Sequence, residues 1–164
     1  MKILVLSDSH SALHFMRQCI DTVKPNAVIH LGDYYDDGQA MAEEYPEINF
    51  YCVPGNCDKY RNVQWAAETL VTAVCGVKLF MTHGHLHRVK QGLGALLKDA
   101  QSTGAQAVLF GHTHSPFCEQ TERGVWVLNP GSCGYGGGSV GLISVNDKRI
   151  SDCRILRQSD LENF

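Results

Sequence analysis

The first half of the chain alternates between short apolar runs and segments in which apolar residues have helical spacing. The runs predict buried parallel strands, because such strands are covered on both faces and lack polar alternation. In the first segment between them, residues 11–24, apolar residues recur every three or four positions, and both segments end at a proline. The predicted strands cover residues 3–6, 27–31 and 48–53, and the predicted helices cover residues 11–24 and 37–45.

The second half of the chain predicts mostly strands. Residues 69–75 and 77–82 flank Gly76 in the pattern of a β-hairpin. Helical spacing predicts one further helix over residues 88–102. The whole order predicts an α/β fold in one domain over residues 1–164, with two packed mixed sheets and helices outside them. Turn residues separate the remaining predicted strands, which cover 107–110, 116–122, 125–128, 139–145 and 149–155.

Composition excludes several classes of protein. With 164 residues the chain is long enough for one domain with a sizeable core. A net charge of −3 and 19% charged residues provide no basic stripe, so we expect no extended nucleic-acid surface. Seven cysteines without C-x-x-C spacing, and an N-terminus with only a short apolar run, predict reduced thiols in a cytoplasmic protein. No apolar run is long enough to cross a membrane.

Residues that commonly bind metals follow five of the predicted strands. Their clusters are Ser-Asp-Ser-His, His-Leu-Gly-Asp, Pro-Gly-Asn-Cys-Asp, Thr-His-Gly-His and Gly-His-Thr-His. Because the carboxyl ends of parallel strands lie along one edge of a sheet, residues that are distant in sequence can converge there. The seven potential ligands are Asp8, His10, Asp33, Asn56, His83, His112 and His114.

This donor set exceeds what one tetrahedral ion needs, and it predicts a centre with two metal ions. The two oxygens of Asp33 can bind both ions and hold them about 3.5–4 Å apart. We expect Asp8 with His10, and His112 with His114, to approach from extended segments, in which alternate side chains point the same way. Glycines are expected to permit tight turns and close backbone approach, at Gly32, Gly55, Gly84 and Gly111.

The donors are imidazole nitrogens and carboxylate or amide oxygens, with no obvious thiolate. Such a set favours Mn²⁺, the first expectation, or Fe, Zn²⁺, Co²⁺ or Ni²⁺ over Ca²⁺ or Mg²⁺ alone. Two ions of this kind suit phosphoester hydrolysis, since they offset charge on the phosphoryl group and acidify a bound water. The predicted nucleophile is therefore a metal-bound hydroxide, and no serine or cysteine nucleophile is required.

The order D-x-H, G-D, G-N-x-D, H-G-H, G-H-T-H resembles the calcineurin-like metallophosphoesterase superfamily. The short chain, Gly-Asn-Cys-Asp and the Asn-Pro-Gly-Ser at residues 129–132 are similar to its small bacterial and archaeal phosphodiesterases of the YfcE type. The resemblance covers nearly the whole chain and implies a four-layer α-β-β-α sandwich with two mixed β-sheets. It implies one ion held by Asp8, His10, Asp33 and His114, and a second held by Asp33, Asn56, His83 and His112.

Cysteine occupies a position where many members of that superfamily have a histidine that assists the leaving group. Cys57 directly follows Asn56, and a thiol is a weaker hydrogen-bond donor than imidazolium. We therefore expect slow turnover of esters with poor leaving groups. His85 is a candidate substitute, and Asp58 is a candidate for orienting a ligand or a water. Together with Asp33 and Asn56, these two residues form the predicted catalytic set.

Several neighbouring residues have weaker claims to function. Tyr34 and Tyr35 are expected to edge the pocket, where they either stack on a substrate ring or pack against the protein. His30 lies on an apolar strand and is expected in the core. The glycines of residues 134–138 lack the Lys-Ser/Thr of a phosphate-binding P-loop, so they predict a flexible turn.

Two other functions share this metal core or this fold. A phosphomonoesterase would use the same residues, and a non-catalytic scaffold is an alternative because this fold also serves as a retromer subunit with a degraded metal site. The scaffold predicts missing ligands, and none of the seven is missing. We expect a small-molecule or nucleotide-like phosphoester as substrate and no membrane partner. Self-association as a dimer or tetramer is expected because it is common in similar proteins.

Overall fold

Two five-stranded sheets pack face to face in this computed structural model, which describes residues 1–60, 63 and 65–164. The first sheet contains β1 (Lys2–Leu6), β2 (Ala27–His30), β3 (Asn49–Cys52), β9 (Ser139–Asn146) and β10 (Arg149–Arg157), in the order β10-β9-β1-β2-β3. The second contains β4 (Thr69–Val74), β5 (Val77–Thr82), β6 (Ala107–Leu109), β7 (Phe117–Gln120) and β8 (Trp126–Asn129), in the order β4-β5-β6-β8-β7.

Helices cover the outer faces of both sheets. Within the described residues they are α1 (Leu13–Val23), α2 (Tyr35–Glu44), α3 (Gly94–Gln101) and α4 (Gln158–Leu161), together with a 3₁₀ helix at Asn56–Tyr60. Helices α1, α2 and α4 contribute to the apolar layer on the first sheet, and α3 contributes to the layer on the second.

Alternation along the buried strands produces three apolar layers. In β1, Ile3 and Val5 belong to the layer between the sheets, whereas Leu4 and Leu6 pack with helix α1. In β5, Met81 likewise belongs to the central layer and its neighbour Phe80 packs with α3. The four-layer α-β-β-α sandwich predicted from the sequence is therefore confirmed.

Three parallel strands in each sheet determine where the functional loops lie. Strands β1, β2 and β3 are parallel neighbours in the first sheet, and β5, β6 and β8 are parallel neighbours in the second. Each of the five predicted ligand clusters follows one of these parallel strands. The carboxyl ends of both sheets consequently supply loops to the same region.

The helix predicted over residues 88–102 is wrong at its start, since α3 begins at Gly94. Arg88 has φ of 53° and Gly92 has φ of 141°, and a right-handed helix accommodates neither angle. The apolar residues before Gly94 keep their helical spacing, but Val89 packs into the outer layer from a series of turns. The 3₁₀ helix at Asn56–Tyr60 and the short helix α4 were not predicted.

The helices of the described residues include none that is both long and apolar enough to cross a membrane.

Candidate metal centre

The structure brings the predicted metal ligands together in two groups that share one residue. One ligand atom from each of Asp8, His10, Asp33 and His114 lies within 4.8 Å of the others. Atoms of Asp33, His83 and His112 form a second group under the same limit. Asn56 joins the second group, because its Oδ1 lies 3.1 Å from His83 Nε2. All seven residues therefore converge, and Asp33 lies between the groups.

Most of these side chains are oriented by a residue backbone in the left-handed region, and not by an extended segment. Five of the seven adopt positive φ, from 45° at His10 to 67° at His112. The expectation of extended D-x-H and H-x-H segments is therefore wrong, since a left-handed residue turns the chain sharply after the strand ends. Non-glycine residues adopt this region at a cost of about 1–2 kcal/mol each. The residues concerned are Asp8, His10, Asp33, His112 and His114.

In the first group, one oxygen of Asp8 is fixed and the other faces the ligands. Oδ2 accepts hydrogen bonds from Ser7 Oγ at 2.6 Å and from the His112 amide at 3.0 Å. Oδ1 is buried 3.1 Å from His114 Nε2 but forms no hydrogen bond with it. The contact with the His112 amide links a loop of the first sheet to a loop of the second.

In the second group, a backbone carbonyl fixes the tautomer of His83. Because the Leu31 carbonyl can only accept, His83 Nδ1 donates to it, at 2.7 Å. In the neutral ring, Nε2 then carries a lone pair. That atom lies 3.1 Å from Asn56 Oδ1 and 3.5 Å from Asp33 Oδ1, both of which are acceptors. In that form, three atoms that carry lone pairs face one another: His83 Nε2, Asn56 Oδ1 and Asp33 Oδ1.

These features fit a bound divalent cation. Asp8 Oδ1 and His10 Nε2 are buried and, among the described residues, have no hydrogen-bond partner. Burying a polar atom without a partner costs about 1–3 kcal/mol, so such atoms normally have one. A cation would satisfy them, and nitrogen and oxygen donors suit a divalent transition metal.

The environment of the site favours the protonation states in which its side chains can coordinate a metal ion. Burial alone would raise the pKa of the Asp33 carboxyl, but His83 and the Cys57 amide and thiol hold the pKa below its ordinary value. Burial, His83 and Lys90 lower the pKa of His112. At neutral pH Asp33 is therefore an anion and His112 a neutral imidazole, which are the forms that coordinate metals.

A glycine pair allows the two halves of the site to touch. A side chain at Gly55 would collide with the Asp33 carboxylate, and a Cβ at Gly32 would lie 2.5 Å from the Gly55 nitrogen. Gly32 also has φ of 93°, which favours glycine. The loops after β2 and β3 thus meet backbone to backbone, as the close approach predicted for these glycines requires.

Asp58 fastens the same two loops together. Its Oδ1 accepts the Tyr34 and Tyr35 amides, each at 2.9 Å, and its Oδ2 accepts the Gly55 amide at 2.7 Å. The side chain is fully buried. Both oxygens are thus engaged with backbone, so the contacts of Asp58 are those of a residue that positions the loops of Asp33 and Asn56 rather than one that orients a water.

A buried polar chain holds the loop between Asp8 and His10. Ser9 Oγ donates to Asp37 Oδ2 at 2.7 Å and accepts from His30 Nε2 at 3.0 Å. Burial lowers the pKa of His30 to about 4, so its ring is neutral at physiological pH. His30 is therefore a core residue that supports the site, as its position on an apolar strand predicted.

The two candidates for assisting the leaving group are both neutral near pH 7. Cys57 is exposed and its Sγ donates to Asp33 Oδ2 at 3.3 Å. Partial desolvation of the sulfur and the neighbouring Asp33 raise the pKa of Cys57 to about 11. The His85 ring lies 5.3 Å from that of His83, and burial together with His83 and His112 lowers its pKa to about 4.

Residues from the loop after β8 also contact the site, and the sequence analysis did not predict this. Ser132 Oγ donates to the Asp8 carbonyl at 2.7 Å. The Tyr135 ring is stacked on that of His114, with centroids 5.3 Å apart and planes at 11°. The Asn-Pro-Gly-Ser motif was the available signal, but neither its contact with Asp8 nor the position of Tyr135 can be inferred from sequence spacing.

The strain at His114 predicts an unusual order of stabilities. His114→Gly should unfold with a free energy about 1 kcal/mol higher than His114→Ala, because alanine retains the cost of left-handed backbone. Urea denaturation of both metal-free variants measures the difference. His14, an exposed residue of helix α1, provides the control. At position 14 the glycine variant should have a lower free energy of unfolding than the alanine variant. If glycine and alanine ranked in the same order at positions 14 and 114, the strain assigned to His114 would be contradicted.

Asp58→Asn should lower the free energy of unfolding by about 1–3 kcal/mol, because the new NH₂ group faces a backbone amide in place of an acceptor. Equilibrium denaturation compares this variant with Asp147→Asn, which alters an aspartate in an exposed turn. Equal stability of the two variants would show that Asp58 does not fasten the loops.

Comparison with known proteins agrees with this geometry. The probable metallophosphoesterase YsnB of Bacillus subtilis is 33% identical over 139 residues, which cover 80% of this chain and 75% of YsnB. An archaeal phosphodiesterase has a similar structure, with a TM-score of 0.69, 25% identity and coverage of 96% of this chain and 99% of its own. Vps29 of Entamoeba histolytica, solved in complex with zinc, shares the fold with a TM-score of 0.67 at 23% identity, covering 94% and 90%.

YfcE, a phosphoesterase from E. coli, also shares the fold. Residues 1–148 match the calcineurin-like phosphoesterase superfamily domain. The chain belongs to the calcineurin-like phosphoesterase superfamily, as the order of its ligand motifs predicted.

Proposed function

We propose that this protein is a phosphodiesterase that uses two divalent transition-metal ions to hydrolyse a small-molecule or nucleotide-like ester. Membership of the superfamily, together with the complete set of seven ligands, supports a phosphoester hydrolase. The observation that supports two ions is the position of Asp33, whose carboxylate takes part in both ligand groups. The archaeal phosphodiesterase of similar structure supports a diester as the substrate.

Each proposed ion has its own set of donors. Asp8, His10, Asp33 and His114 would hold one, and Asp33, Asn56, His83 and His112 the other. Imidazole, carboxylate and amide donors favour Mn²⁺ first, with Fe, Zn²⁺, Co²⁺ and Ni²⁺ as alternatives. Bound there, the ions would polarise a phosphoryl oxygen and make the attacking water acidic enough to react at neutral pH.

The protein's own contribution is to hold these donors in place before substrate arrives. Hydrogen bonds from Ser7 and the His112 amide orient Asp8, and the Leu31 carbonyl orients His83. Metal ligands that are held in this way need little rearrangement in the transition state. Buried Asp58 maintains the distance between the loops of Asp33 and Asn56.

The leaving oxygen would receive little help from a charged acid. Before metal binds, the pKa values of about 11 for Cys57 and about 4 for His85 favour a neutral thiol and a neutral imidazole at pH 7. A neutral donor can stabilise the departing oxygen by a hydrogen bond but is a poor general acid. Esters with good leaving groups are therefore the substrates that this site would hydrolyse fastest.

The proposed function predicts that hydrolysis depends on the bound metal and on the shared carboxylate. A strong chelator should abolish hydrolysis of bis(p-nitrophenyl) phosphate, and Mn²⁺ should restore it, with about two ions per chain at saturation by elemental analysis.

Asp33→Asn preserves the shape of the side chain but removes the shared charge. It should lower kcat/KM by about 10³-fold, equivalent to about 4 kcal/mol of transition-state stabilisation.

His87→Ala is the control for this experiment. His87 pairs with Asp99 at 3.2 Å and belongs to neither ligand group, so its loss should change kcat/KM little. A panel of p-nitrophenyl monoesters assayed alongside the diesters distinguishes a monoesterase from a diesterase. Undiminished hydrolysis by the chelated protein, or equal effects of the two variants, would reject the proposed centre.

Cys57 predicts how the rate depends on the leaving group. The wild-type rate should fall steeply as the leaving-group pKa rises from aryl to alkyl diesters. Cys57→His introduces a stronger donor at an exposed position and should accelerate alkyl esters most, by about tenfold or more. The measurement is a series of diesters at saturating Mn²⁺, with Cys75→His, remote from the ligand groups, as the control. Parallel slopes for wild type and Cys57→His would show that residue 57 does not assist departure.

A further inference from the structure

We propose that Tyr135 is the platform on which a flat aromatic ring of the substrate stacks. This inference rests on the proposed function, because it names the class of ester that the metal site would hydrolyse: one that carries an aryl group or a nucleobase. Tyr135 belongs to none of the ligand motifs, yet it lies directly against two of the ligands.

The Tyr135 ring occupies the border between the first ligand group and solvent. One face of the ring is stacked on His114, with planes at 11°, and the ring also meets His10 edge to face at 4.9 Å. Nevertheless 56% of the residue is exposed. Tyr135 thus contacts two ligands of the first group while more than half of the residue remains open to solvent. Its exposed surface lies beside the place where a phosphoryl group would bind.

The backbone that carries Tyr135 is held against the loop of Asp8. Ser132 Oγ accepts the Tyr135 amide at 3.0 Å and itself donates to the Asp8 carbonyl at 2.7 Å. A side chain at Gly134 would lie 2.6 Å from the Ser9 carbonyl oxygen, so this glycine lets the loop press onto the ligand loop. The ring is consequently placed in advance, and little conformational entropy would be lost when a second ring stacks on it.

Stacking explains the exposed ring better than packing does. An aliphatic side chain could also pack against His114, but only an aromatic side chain offers a surface on which another ring can stack. A base stacked on an aromatic side chain tightens binding by about tenfold or more. His10 also contacts Tyr34, with ring centroids 5.0 Å apart, so phenol rings dominate this side of the first group. The structure therefore favours a flat, unsaturated substituent on the ester.

Phosphonates test ring recognition without hydrolysis, because their C–P bond is not an ester bond. The ligands are methylphosphonate, cyclohexylphosphonate and phenylphosphonate, with an acyclic adenine phosphonate as the nucleobase arm. Isothermal titration calorimetry on the Mn²⁺-loaded protein should give a Kd for phenylphosphonate about tenfold below that for methylphosphonate. Cyclohexylphosphonate has similar bulk but no flat face, and it should gain much less.

Variants locate the effect at residue 135. The ratio of interest is the Kd for methylphosphonate divided by the Kd for phenylphosphonate. Tyr135→Ala should reduce this ratio to near one, whereas Tyr135→Phe should preserve it. Tyr60→Ala is the matched control, since Tyr60 is 95% exposed and should leave the ratio unchanged. The Kd for Mn²⁺ is measured in parallel. If Tyr135 only supported His114, Tyr135→Ala would weaken the binding of Mn²⁺ and of all four phosphonates by the same factor. That result would reject the proposal.

The outcomes separate this inference from the proposed function. Equal affinities for phenyl- and methylphosphonate, or a ratio that depends on Tyr60 instead of Tyr135, would overturn the stacking platform even if diesters are hydrolysed. A ratio that depends on Tyr135 would support it even if no diester is hydrolysed, in which case only the proposed function fails. If the adenine phosphonate binds more tightly than phenylphosphonate, Tyr135 recognises a nucleobase. If the two bind equally, Tyr135 recognises aryl groups in general.

Discussion

The packing of two parallel strand edges against each other is the constraint on which this molecule depends. Strands β1, β2 and β3 end beside β5, β6 and β8, and the apolar layer between the sheets keeps the two edges in contact. Polar contacts cross the edges as well: His83 donates to the Leu31 carbonyl, and Asp8 accepts from the His112 amide, so the backbone of each sheet orients a ligand of the other. Neither sheet alone contains either ligand group, so the site is a property of the sandwich.

The sequence predicted the layers and the ligands because both depend on local pattern. A run such as residues 3–6 identifies a strand buried on both faces, and the order of the polar clusters identifies the loops that follow parallel strands. It did not predict the backbone of those loops, since the left-handed angles at Asp8 and His112 are imposed by contacts with residues far along the chain. The same limitation applies to the start of the helix predicted over residues 88–102. Turns occupy its first residues, although the apolar spacing there is helical.

Positions that support the site were the least predictable part. Asp58 was predicted as a candidate for orienting a ligand or water, and only the structure shows that its two oxygens bind three backbone amides. Tyr135 was hidden in a glycine-rich turn, because sequence spacing carries no information about stacking between residues 114 and 135. The strained backbone of five ligands is tolerated because such buried hydrogen bonds fix the loops independently of the ligands.

The contact between Gly32 and Gly55 has a consequence for how this protein can change. Because backbone meets backbone there, no side chain lies between the loops that carry Asp33 and Asn56, and the main chain determines how closely these loops approach. Exchanging a ligand side chain therefore leaves this approach intact, whereas a side chain at either glycine would push the two loops apart.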